Sequence, residues 1–148
     1  MLSTVGVMTA FTTGTVAPRA ATTGSETQLL RFALRADATL CAGVGLFIAM
    51  AADPLSRLSG LSPTTEWAVG ATLVGYGALL YLCARVTDVR VVGVGVLVGN
   101  VVFAVAVSVV LLAGWLPLTA FGVAATVAFT VVTLGFAALQ YLGVRRLA

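Results

Sequence analysis

The chain has 148 residues, 60% hydrophobic and only 9% charged, with a formal net charge of +3. A soluble domain carries about 25% charged residues, so a water-soluble globule is excluded, and the length leaves room for one domain. Histidine and lysine are absent and all eight basic residues are arginine, which excludes His-ligated haem or zinc, a Ser-His-Asp triad and Schiff-base chemistry.

Residues 1–30 are rich in Thr, Ala, Gly and Ser, with Arg19 and Glu26 as the only charges. No basic segment precedes an apolar one, so no cleaved signal peptide is expected. The reading is a poorly ordered N-terminal tail ahead of a membrane domain at 31–148.

The first span is predicted at about 30–52. Its uncharged stretch, 38–52, is short for a crossing. Arg31, Arg35 and Asp37 are therefore expected in its first turns, with the arginines snorkelling to the interface. Asp53-Pro54 stops it, because proline disfavours helical geometry in the residue before it. Leu55, Leu58 and Leu61 follow at helical spacing and suggest a short interfacial turn closed by Gly60.

The second span, about 63–85, is well punctuated. Ser62 suits the N-cap, Pro63 the first helical position, and Glu66 the first turn, where the helix dipole favours an anion. Arg85 ends it. Thr87 or Asp88 caps the third span, about 89–113. Residues 91–144 then contain no charged side chain. As one helix they would extend about 80 Å, against a hydrocarbon core of about 30 Å. Gly114-Trp115-Leu116-Pro117 divides the run, and Pro117 is expected to open a fourth span, about 117–144, closed by Arg145 and Arg146.

The fold class expected is therefore all-α, a polytopic four-transmembrane-helix bundle. Four crossings put both termini on one side of the bilayer. Arg19, Arg31, Arg35, Arg85, Arg90, Arg145 and Arg146 fall on that side, and Arg57 falls alone on the other. By the positive-inside rule both termini are cytoplasmic, in a bacterial inner membrane, and Trp67 and Trp115 belong to the outer aromatic belt. The arginines thus serve orientation, not nucleic-acid binding.

Polar groups inside a bilayer are costly and are functional candidates by default. Here they are Asp37, Asn100 and Gln140. One reading joins them in a buried cluster, Asp37 and Gln140 near the cytoplasmic ends of their helices and Asn100 deeper, that binds a proton, an ion or a lipid head group. The other pairs Asp37 with Arg35, Arg90 or Arg145 at the interface and leaves Asn100 as a helix-bridging hydrogen bond. Ser108, Thr126, Thr130 and Thr133 can satisfy themselves on carbonyls one turn back. Cys41 and Cys83 are not in a C-x-x-C spacing and read as reduced, small apolar fillers near the cytoplasmic helix ends.

Small residues form the second informative set. Gly93, Gly95 and Gly99 lie on the third span, with Gly95 and Gly99 in G-x-x-x-G spacing. Gly70, Gly75 and Gly77 lie on the second, and Gly43 and Gly45 on the first. Such residues let helices approach closely, either within one bundle or between chains.

Leu34-Arg35-Ala36-Asp37, a Gly-rich continuation, Asn100 in the third span and the closing Leu139-Gln140-Tyr141-Leu142-Gly143-Val144-Arg145-Arg146 together resemble a group of small four-helix integral membrane proteins of high-GC bacteria, mostly actinobacteria, with no assigned function. The resemblance covers roughly residues 31–146. It implies four membrane helices and no particular activity.

No acid-rich motif for Mg²⁺ and no carboxylate pair is present. The leading expectation is a non-enzymatic protein without cofactor or metal, an accessory or scaffolding subunit or homo-oligomer packed through its glycine faces. Its partners would be membrane lipid and a second copy or another membrane subunit. The alternative is a small-solute or ion transporter or channel using Asp37, Asn100 and Gln140.

Overall fold

The computed structural model describes residues 19–147, with side chains from Thr27 onward. Its described residues form five helices and no strand: α1 (Arg19–Met50), α2 (Ala52–Ser59), α3 (Pro63–Cys83), α4 (Val89–Ala113) and α5 (Ala120–Arg146). Four segments are long and apolar enough to cross a bilayer: Thr27–Met50, Pro63–Cys83, Val89–Ala113 and Ala120–Arg146. The chain is a multi-pass membrane protein with an all-helical bundle. Large apolar side chains such as Phe47, Met50, Leu112 and Val131 point outward, as lipid-facing side chains do.

Two helix starts differ from the sequence expectation. Helix α1 begins at Arg19, so residues 19–29, assigned above to a tail, are helical; residues 1–18 of that tail lie outside the described residues. Arg31 and Arg35 are consequently not in the first turns of α1, and neither is Asp37. It lies ten residues, about 15 Å, beyond Thr27 along the helix. At the other end, α5 starts after Pro117 because the segment before it is held by α2. The amide of Thr119 donates to the Ser59 carbonyl at 2.8 Å, and its hydroxyl donates to the Leu58 carbonyl. Thr119 then serves as N-cap, accepting from the Gly122 amide at 3.1 Å. Gly60 ends α2 with φ +89°, against the Pro117 carbonyl, where a side chain would have no room.

One stop differs as well: α1 ends at Met50, and Asp53 and Pro54, expected to end it, lie in the first turn of α2, where proline is tolerated. The other helix starts and stops follow the sequence. Ser62 caps α3 by accepting from the Thr65 amide at 3.1 Å, with Pro63 at the first helical position. Asp88, not Thr87, caps α4. Gly114 closes α4 with φ +65°.

Helix α1 is the axis of the bundle. It packs most extensively along α3, then against α5, and more lightly on α4; α4 pairs with α5, while α3 and α4 scarcely meet. The α1–α3 contact is close because its surface is made of small residues. A Cβ at Gly70 would stand 2.5 Å from the Gly45 carbonyl oxygen and the Ala49 amide nitrogen, and one at Gly77 2.6 Å from the Ala38 carbonyl. Gly93 and Gly143 make a second close contact around Leu30, at the end where the core cluster Leu30, Leu34, Ala84 and Val89 sits. Gly75, Gly95 and Gly99 take no part: a Cβ at any of them meets nothing within 4 Å. As packing residues within the chain, Gly93 and Gly70 hold and Gly75, Gly95 and Gly99 do not.

The arginine-rich helix ends gather at one end of the bundle. Arg31 donates to the carbonyls of Ala84 at 2.6 Å and Val86 at 3.0 Å, tying α1 to the α3–α4 turn, and Arg85 lies 4.9 Å from the Tyr81 ring centroid. Arg35, Arg90, Arg145 and Arg146 are exposed near this end. Trp67 and Trp115 are exposed at the opposite end, beside α2 and its Arg57.

Candidate intramembrane site

Asp37, Asn100 and Gln140, from α1, α4 and α5, meet in the bundle interior. Their exposures are 2%, 3% and 0%. The Asn100 amide nitrogen donates to Asp37 Oδ2 at 3.1 Å and to Gln140 Oε1 at 3.2 Å, and the Gln140 amide nitrogen donates to the same Asp37 Oδ2 at 2.9 Å. The three side chains close a triangle in which each touches the other two. This geometry also sets Asn100 level with its partners rather than deeper. Asp37 is no longer at a helix end once α1 is extended, and the long Gln140 side chain reaches the same level.

Two further residues join that sequence reasoning left out. Cys41 donates its thiol to Asp37 Oδ1 at 3.4 Å, and the Tyr76 hydroxyl donates to Asn100 Oδ1 at 3.2 Å. Cys41 therefore replaces the role of apolar filler with that of a hydrogen-bond donor, and it lies within its span rather than near a helix end. The signal for it was present: Cys41 is four residues after Asp37, on the same helix face. Tyr76 had a weaker one, a phenol placed well inside a span and away from the interface where tyrosine gathers.

Asp37 is thus held by neutral donors, and no arginine is among its hydrogen-bond partners. The interfacial pairing with Arg35, Arg90 or Arg145 does not occur. A formal charge in lipid without a cation is expensive, and three hydrogen bonds from neutral groups offset only part of that cost.

The cluster opens sideways. Because α3 and α4 diverge, a cleft of about 240 Å³ lies between them, with Thr72, Leu73 and Tyr76 on one wall and Gly99, Asn100 and Phe103 on the other. Phe129, Thr133 and Cys41 close its back. Phe103 and Phe129 stand edge to face, centroids 6.1 Å apart. Gly99 contributes no side chain, which leaves that lip of the cleft low.

The serine and threonines expected to be self-satisfied are so. Ser108, Thr126, Thr130 and Thr133 each donate to the carbonyl four residues back, at 2.7–3.0 Å. A second buried carboxylate, Glu66, lies at the far end of the bundle, where it accepts from the Ser59 hydroxyl. Its sequence position explained its place in the first turn of α3 but not its burial, which comes from α2 folding back over it. Among the described residues no group of three or more metal-ligating side chains converges.

Comparison with protein-family models, with curated proteins and with solved structures returned no match.

Proposed function

We infer that the chain is a non-enzymatic inner-membrane protein that moves or binds a small solute at the Asp37–Asn100–Gln140 site, with both termini in the cytoplasm. The observation that carries this is the junction of a carboxyl group lacking a cationic partner with a cleft open toward the bilayer between α3 and α4. A cluster that only pinned helices together would need no opening. The orientation rests on arginine placement: by the order of the spans, seven of the eight fall toward the side shared by the termini.

A second reading, the scaffold or homo-oligomer, is favoured by one specific observation. Gly75, Gly95 and Gly99 present bare backbone outward, and only 11% of the most apolar window of α4 is buried within the chain. The two readings are compatible if the protein works as a dimer.

The test is uptake into proteoliposomes of a panel of small neutral, cationic and anionic solutes. Saturable flux of one class is expected, and it should vanish in Asp37→Asn protein that still inserts and elutes as wild type. Flux unchanged by Asp37→Asn, or none above empty vesicles, would remove the transport reading and leave the scaffold.

A further inference from the structure

The lining of the α3–α4 cleft has a one-sided hydrogen-bonding character. Thr72 donates its hydroxyl hydrogen to the Ala68 carbonyl at 2.8 Å, and Thr133 donates to the Phe129 carbonyl at 3.0 Å. Tyr76 donates to Asn100 Oδ1, Cys41 to Asp37 Oδ1, and both donor bonds of the Asn100 amide go to Asp37 and Gln140. Every polar hydrogen on the side chains of the cleft wall is committed inward. What the wall turns toward a ligand is the unused lone pairs of hydroxyl oxygens, so it can accept hydrogen bonds but has no side-chain hydrogen free to donate.

Charge points the same way. Asp37 stands directly behind the wall, bonded to both Cys41 and Asn100, with neutral donors as its hydrogen-bond partners. The rings of Tyr76, Phe103 and Phe129 complete the lining, and aromatic faces attract cations. An anion would meet lone pairs, ring faces and a carboxyl group. A cation with N–H hydrogens meets complementary partners at each of them.

Size restricts the ligand further. An apolar cavity of about 150 Å³ holds a benzene ring, so the cleft of about 240 Å³ has room for roughly ten heavy atoms by the same scale. The opening between α3 and α4 faces lipid, which requires an apolar body on whatever enters.

The geometry points to a small lipophilic primary amine, bound as its ammonium ion, as the solute class of this cleft. This deepens the solute-site reading above and rests on it. The ammonium hydrogens go to the Tyr76, Thr72 and Thr133 oxygens, the charge is balanced by Asp37, and the apolar body lies between Phe103 and Phe129.

The experiment is calorimetric titration of the full-length protein in detergent with three probes that share a benzyl-carbon body and fit the same volume: phenethylamine, 2-phenylethanol and phenylacetate. The amine should bind at least about tenfold more tightly than the alcohol, with the acid showing no binding. Gly99→Leu fills the mouth from a position where a Cβ meets nothing, so it should abolish binding without disturbing the fold. Gly135→Leu, on an equally open part of α5, should leave binding unchanged. If the alcohol or the acid binds as well as the amine and Gly99→Leu removes it, the amine assignment is overturned while the solute site stands. Binding insensitive to Gly99→Leu, or no binding of any probe, overturns the assignment, and the flux experiment then judges the site separately.

Discussion

Asn100 is the joint of the polar cluster. Its amide donates to two side chains and accepts from a third, linking α1, α3 and α5 to α4. Replacing it with leucine removes these bonds and strands Asp37, Gln140 and Tyr76 partly unsatisfied. Asn100→Leu should lower stability by about 1–3 kcal/mol, read as a fall in melting temperature in detergent. Tyr76→Phe leaves only Asn100 Oδ1 short of a donor and should cost about 1 kcal/mol or less. If Asn100→Leu were as stable as wild type, the network would be geometrically present but energetically idle. Three of the five cluster residues were legible in the sequence because a carboxylate or carboxamide is conspicuous in an apolar span. Cys41 and Tyr76 were not, since both residue types have ordinary apolar or interfacial uses and only the tertiary arrangement separates these from the polar one.

At the scale of the helix, the α1–α3 contact shows what periodicity could and could not supply. Gly70 and Gly77 are seven residues apart and share a face; Gly75 sits off it. Sequence placed all three on one helix but left the inward face open, because in lipid the outside of a helix is as apolar as the inside and no polar stripe marks the direction. The outcome is testable by contrast. Gly70→Leu drives a side chain into the backbone of α1 and should destabilise by about 1–3 kcal/mol or more, with loss of a monodisperse elution profile. Gly75→Leu meets open space and should leave the monomer's melting temperature unchanged. Equal effects of the two would mean that α3 is rotated from the orientation described. The helix ends were largely readable from caps: Ser62, Asp88 and Gly114 serve as their residue types suggest. The start of α5 was not, because Thr119 is fixed by contacts with Ser59 and Leu58 sixty residues away, which no local rule contains.

For the molecule as a whole, lipid as solvent accounts for the outward apolar surface, the small-residue helix contacts and the gathering of most arginines toward one end of the bundle. The proposed cytoplasmic placement of both termini predicts that a C-terminal alkaline phosphatase fusion is inactive and a C-terminal green fluorescent protein fusion bright in a bacterial host; the reverse pattern would invert the topology. Four spans were legible from charge spacing and helix punctuation together: 91–144 contains no charge and must be divided to fit a bilayer, and Ser62-Pro63 opens the span before it. The order of helices around α1, and with it the cleft, was not, because it is set by which small residues meet.

The central claim is that residues remote in sequence meet as one polar site inside the membrane bundle, and a double-mutant cycle between Asp37 and Gln140 tests it most directly. The pair is bonded at 2.9 Å. Unfolding free energies of Asp37→Ala, Gln140→Ala and the double variant, measured in the same detergent, should yield a coupling energy of about 0.5–2 kcal/mol. Strict additivity of the two single effects would contradict the site.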